Sequence, residues 1–267
     1  MRRSRCSSGA ARAYGYGLVE LLVAMSLGLL VCGAMLGLYR VQRSAYDQAS
    51  ERARMDEAGR AALDLIAAHL RMAGYPAGLF AAGAAPLAAP GALFACAAGR
   101  PTGDLAAARC EADARGSDGI QLRYADSGIS SWAAAPGVST DCLGQALPAG
   151  AWNSARFFAR PSGSTGEPEL YCEGGARMGA AQPVVEGVEM LRFSYWMNGR
   201  AAPVRDLSGV VLDHLQAVSL CVLVRGKPAA RARAYLDCDG QRQPATDRRP
   251  RQTYRPVLAL RNLTVRN

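Results

Sequence analysis

Hydrophobic positions are spread unevenly along this chain. From Leu18 to Tyr39 they run almost unbroken for 22 residues, with Glu20 the only charge. A helix needs about 20 apolar residues to cross a bilayer. A cleaved secretory signal usually has an apolar core of only about 7–15 residues, so this run is expected to stay with the protein. The pattern then changes but does not stop. Residues 40–73 are rich in good helix formers, and Met55, Ala62, Leu63, Ile66, Leu70 and Ala73 recur at helical spacing. Gly74 followed by Tyr75-Pro76 reads as a stop. One helix from Leu18 to Ala73 is predicted, about 84 Å long at the standard rise. Its first half suits lipid. Its second half, apolar on one side, must lie against a folded body.

Beyond Pro76 the helical period is lost. The Ala/Gly/Pro-rich segment from Ala77 to Gly103 reads as loop. Short strand-like runs follow: Gly119–Ala125 with alternation, Ala155–Arg160, and Pro168–Gly174. Val184–Gly199 reads as one longer strand ending in an Asn-Gly turn. Leu215–Gly226 is the best central strand, and Tyr254–Asn267 closes the chain as another. No internal repeat is evident. The fold class expected is α+β, with a long N-terminal helix packed on an antiparallel β-sheet head. Three segments follow: a basic leader over 1–15, the helix over 16–74 with a span at 18–39, and a β-rich head over 75–267.

Charge sets the orientation. The formal net charge is +9; subtracting Arg2, Arg3, Arg5 and Arg12 of the leader leaves +5. Four cations ahead of the span favour a cytoplasmic N-terminus and an exported head. Lys227 is the only lysine, and the abundance of Arg, Ala and Gly fits a GC-rich coding bias. Arginine number alone is therefore no argument for nucleic acid.

Eight cysteines are present. Cys6 lies in the leader and Cys32 in the apolar run, where it reads as a small apolar residue. Cys96, Cys110, Cys142, Cys172, Cys221 and Cys238 fall in the head, an even number in an exported segment, which points to disulfides. Fifteen connectivities exist for six cysteines; proximity along the chain favours Cys96–Cys110, Cys142–Cys172 and Cys221–Cys238. No CxxC occurs, and His69 and His214 are the only histidines, so zinc spacing is absent. Neither histidine completes a catalytic constellation. Asp237–Gly240 (DCDG) has too few ligands for a calcium loop and reads as a turn. No metal, cofactor or enzymatic activity is implied.

Gly15 followed by YGLVELLVAMSLGLLV resembles the type III signal of type IV pilins and pseudopilins. That signal combines a basic leader, a glycine before the cut, an aromatic after it and a glutamate five residues into the mature chain. The resemblance implies cleavage by a prepilin peptidase between Gly15 and Tyr16 and N-methylation of Tyr16. It gives Glu20 the role of pairing with a neighbouring subunit's N-terminal amine during assembly. Physics agrees: a carboxylate alone in lipid is costly, and a cationic partner offsets much of that. The segment Arg60–Tyr75 looks like the helix end of the PilW minor pilins, and Thr253–Asn262 is similar to their C-terminal strand.

The implied function is that of a minor type IV pilin, a structural subunit for pilus initiation or the tip complex. Its partners would be the prepilin peptidase, other minor and major pilins, and the inner-membrane assembly platform. It would be a single-pass inner-membrane protein with a periplasmic head, later incorporated into the pilus. Two alternatives share the signal: a J-type minor pseudopilin of type II secretion, and a tip adhesin or DNA-binding pilin. The second would use Arg231, Arg233, Arg242, Arg248, Arg249, Arg251 and Arg255, which otherwise read as a solvated basic arm. Gly33 and Gly37 have the spacing of a helix-contact motif.

Overall fold

A computed structural model describes residue 15 and residues 17–76, 91–103, 107–126, 132–135, 138–148, 150–207, 212–229 and 233–263. The chain forms two compact units, Met1–Ser50 and Glu51–Asn267. Helix α1 (Leu18–Met72) is common to both.

In the first unit every described residue is exposed, including Leu18, Leu22, Leu29 and Leu36. The helix is long and apolar enough here to cross a membrane, by length and composition alone. It begins where Gly17 O accepts the amides of Glu20 and Leu21, at 3.0 and 3.2 Å.

In the second unit the helix becomes one wall of a core. Met55, Gly59, Ala62, Ile66 and Leu70 are buried, a 3–4-residue spacing that puts them on one face. Full burial of a side chain such as Ile66 or Leu70 is worth roughly 1.5–3 kcal/mol. The helix ends where expected: Gly74 takes a left-handed φ of +80° and donates its N–H to Arg123 O at 2.9 Å.

The wall opposite is built from two antiparallel sheets. The strands are β1 (Leu93–Cys96), β2 (Gly99–Thr102), β3 (Arg109–Ala112), β4 (Gly119–Ala125), β5 (Trp132–Ala135), β6 (Val138–Thr140), β7 (Trp152–Pro161), β8 (Pro168–Gly174) and β9 (Gln182–Glu186). Then come β10 (Val188–Met197), β11 (Leu215–Arg225), β12 (Tyr235–Leu236), β13 (Arg242–Gln243), β14 (Arg251–Tyr254) and β15 (Val257–Ala259). The first sheet runs β1-β4-β7-β8-β9; the second runs β10-β11-β14, with β15 also on β11. Hairpins β2–β3, β5–β6 and β12–β13 are separate. Ile120, Leu122, Phe157 and Leu170 of the first sheet share one core with Leu191, Phe193, Leu220 and Val222 of the second and with the helix.

Ser117 and Asp118 join the sheets. Asp118 donates its amide to Leu191 O at 2.9 Å and accepts the Phe193 amide on its carboxylate at 2.9 Å. The Leu191 amide bonds Ser117 Oγ at 3.0 Å. Asp118 is buried, and Arg192 pairs with it at 3.0 Å.

Four sequence readings need correction. The segment read as loop contains two strands, β1 and β2, and its 77–90 part lies outside the described residues. The single strand expected over Val184–Gly199 is two strands in different sheets. Gly187 separates them at φ +83°, a conformation open to glycine, and donates to Pro168 O at 2.7 Å. The closing strand is also divided, because Arg255-Pro256 lies between β14 and β15 and proline has no ladder donor. Finally, β4 alternates in sequence but is covered on both sides. Its Gln121 belongs to a buried polar row, in which Arg156 bonds Gln121 Oε1 at 2.7 Å and Glu173 Oε1 at 2.8 Å.

Candidate assembly site and the polar features of the head

The residues singled out at the N-terminus lie on the first unit. Gly15 is exposed, with open space where a Cβ would stand; Tyr16 is outside the described residues. Glu20 sits in the first turn of α1, exposed. A carboxylate there is favoured by the unsatisfied amides and positive end of the helix dipole. No side-chain partner holds it among the described residues. Gly33 and Gly37 are likewise open, with nothing within 4 Å of an added Cβ. Cys32 is a free, exposed thiol.

The six head cysteines form three bridges. Cys96–Cys110 fastens β3 to β1, with Cα atoms 5.5 Å apart. Cys142–Cys172 holds the turn after β6 against β8 at 6.5 Å. Cys221–Cys238 ties the β12–β13 hairpin to β11 at 5.7 Å. The Asp237–Gly240 segment is the turn of that hairpin; Asp237 accepts the amides of Asp239 and Gln241.

His69 is buried and its Nδ1 lies 2.8 Å from the Tyr124 hydroxyl, with the Phe157 ring 5.3 Å away. Burial lowers its pKa to about 4, against a smaller opposing pull from Asp141. Burial also pushes the Tyr124 hydroxyl well up, helped by Asp126 and Asp141. This pair joins helix to sheet. His214 ends a 3-10 turn (Leu212–His214) ahead of β11 and is exposed.

The C-terminal arginines are only in part a solvated arm: Arg249 and Arg251 are half-buried in ion pairs. Arg251 lies in β14 and pairs with Glu189 at 2.5 Å and Asp247 at 2.8 Å. Arg249 grips both oxygens of Glu167 at 2.9 and 2.8 Å, and Arg225 joins at 3.0 Å. Hydrogen bonding from Arg249 holds Glu167 below the usual carboxylate range, and Arg251 does the same for Asp247. Burial alone would lower Arg251; its bonds to Asp247 and Glu189 outweigh that and raise it. Arg255 reaches back to the Asp237 carbonyl. Arg233, Arg242 and Arg248 are exposed; Arg231 lies outside the described residues. Sequence reading missed these pairs because Glu167 and Glu189 are far away along the chain.

Among the described residues no group of three or more His, Cys, Asp and Glu could hold a metal ion.

No protein-family model matches the chain, and no curated protein matches it. Among solved structures it is similar to the type IV-like pilin TTHA1219 from Thermus thermophilus. The identity is 15% and the TM-score 0.44, over 82% of this chain and 100% of that one.

Proposed function

We propose that this chain is a minor type IV pilin of the PilW type, a structural subunit acting in pilus initiation or at the pilus tip. The observation that carries the reading is Glu20: the only charge between Leu18 and Tyr39, in the first turn of an exposed apolar helix, with Gly15 and Tyr16 at the spacing of a prepilin signal. In this reading a prepilin peptidase cuts between Gly15 and Tyr16 and methylates Tyr16. The first half of α1 anchors the chain in the inner membrane, the head folds in the periplasm, and the anchor passes from lipid into the filament. Glu20 makes that transfer selective, because its charge is relieved only where a neighbour's N-terminal amine is in register. The head's disulfides suit an oxidising compartment.

A role in DNA capture is less well supported. The carboxylates on Arg225, Arg249 and Arg251 reduce the charge open to phosphates.

The test separates insertion from assembly. Glu20→Ala and Glu20→Gln should be cleaved and membrane-resident but nearly absent from sheared pili, and Glu20→Asp should be intermediate. Normal amounts of Glu20→Ala in pili would overturn the pairing role. Intact piliation with failed protein secretion on deletion would move the chain to the J-type pseudopilins.

A further inference from the structure

The turn after β10 carries a chemistry that assembly does not use. Asn198 is followed by Gly199, and both are exposed. The Arg200 amide bonds Met197 O at 3.2 Å, and Gly199 has φ +75°, as the third residue of a type II turn requires. The Asn198 backbone amide is held by His214 O at 2.7 Å, but no side-chain hydrogen bond holds its carboxamide among the described residues. The other described asparagines differ. Asn153 is fully buried in β7, donates to Thr140 O at 3.1 Å and precedes Ser154. Asn262 donates to Arg71 O at 2.9 Å and precedes Leu263.

From this contrast we infer that Asn198 is a site of spontaneous deamidation. The Gly199 backbone nitrogen attacks the Asn198 side-chain carbonyl carbon. A carbon–nitrogen bond forms, the carbon–Nδ2 bond breaks, and ammonia leaves with the proton given up by the Gly199 nitrogen. Water then opens either bond of the cyclic imide, giving aspartate or isoaspartate. The sum is water in and ammonia out, with no oxidant, reductant or enzyme. Glycine assists because it has no Cβ to hinder the approach, and asparagine is among the thermolabile residues. The product changes the local charge by one unit beside Arg200. Isoaspartate also lengthens the backbone inside the turn that the Met197–Arg200 and Asn198–His214 bonds close. The modification therefore acts on the end of β10 where Met197 faces Leu215.

The experiment ages the full-length protein in detergent at mildly alkaline pH and body temperature, then digests it with trypsin. The peptide Phe193–Arg200 should gain the amide-to-acid mass shift and divide into aspartate and isoaspartate forms. Peptides containing Asn153 and Asn262 should keep their amides. Asn198→Gln should abolish the shift at that position. Retention of the Asn198 amide, over a period in which the same synthetic peptide converts, would overturn the assignment.

Discussion

A Cβ added to Gly59 of the helix would stand 2.3 Å from Cε2 of Tyr254 on β14. The ring cannot easily retreat, because its hydroxyl is held by Asp56 Oδ1 at 2.7 Å, one helical turn before Gly59. Gly59→Ala must therefore push helix and sheet apart or break that bond. Overpacking of this kind typically costs about 1–3 kcal/mol. A fall in the urea midpoint of the full-length protein in detergent would register it. Tyr254→Ala in the same chain should make Gly59→Ala far less harmful, which a double-mutant cycle reads directly.

Acid should weaken the contact at His69. Its ordinary pKa of 6.5 falls to about 4 in the fold. The unfolded chain takes up a proton below pH 6.5 that the folded chain refuses. The stability contributed by neutral His69 is thus complete above that pH and is lost as pH falls toward 4. The loss is about 3 kcal/mol at 1.36 per unit. His69→Gln should remove this component, so the stability difference between parent and variant should shrink by that amount between pH 7 and pH 4. An unchanged difference would mean that His69 titrates normally.

Arg156 is buried with Glu173, their closest atoms 2.8 Å apart. Arg156→Leu leaves the carboxylate enclosed with only the Gly179 amide at 2.9 Å for company. Removing one member of a buried pair costs about 3–5 kcal/mol, whereas replacing both can approach neutrality. Thermal unfolding should show Arg156→Leu well below the Arg156→Leu, Glu173→Leu double variant. Equal melting points for the two would show that the pair acts through packing alone.

Processing and bridging can be read together as thiols. With the leader attached, the unreduced chain should present Cys6 and Cys32 to an alkylating reagent after denaturation; once cut after Gly15, it should present Cys32 alone. Gly15→Leu should keep the two-thiol form. Six further reactive thiols would remove the bridges, and one thiol from Gly15→Leu would remove the prepilin signal. By loop length, opening Cys142–Cys172, 30 residues apart, should destabilise most, by about 3–4 kcal/mol.

What the sequence reveals here divides along local and distant causes. The helix and its stop at Gly74 are local, set by composition, period and a glycine, and strands Gly119–Ala125 and Pro168–Gly174 are bounded by turn residues. Strands β1 and β2 were hidden because Leu93–Cys96 gains its strand character from pairing with β4. The break at Gly187 was hidden because only the change of sheet demands it. Gln121 and Arg156 look like solvent-facing positions, and only the fold places them inside. The Gly15–Glu20 reading rests on a local sequence pattern alone.

Among the described residues no bridge joins α1 to the sheets: each cystine begins and ends within residues 96–238. Apart from the main chain itself, which continues from α1 through Gly74, the helix is held to the sheets by separable contacts. They include Glu51 on the Lys227 amide, Asp56 on Tyr254 and Gln252, His69 on Tyr124, Arg71 O on Asn262 Nδ2, and the apolar stripe between them. Under a pulling force the weak link is this seam, and the cystines lie off the line of load. That seam can open while the head keeps its cystines and stays joined to α1 by the backbone at Gly74.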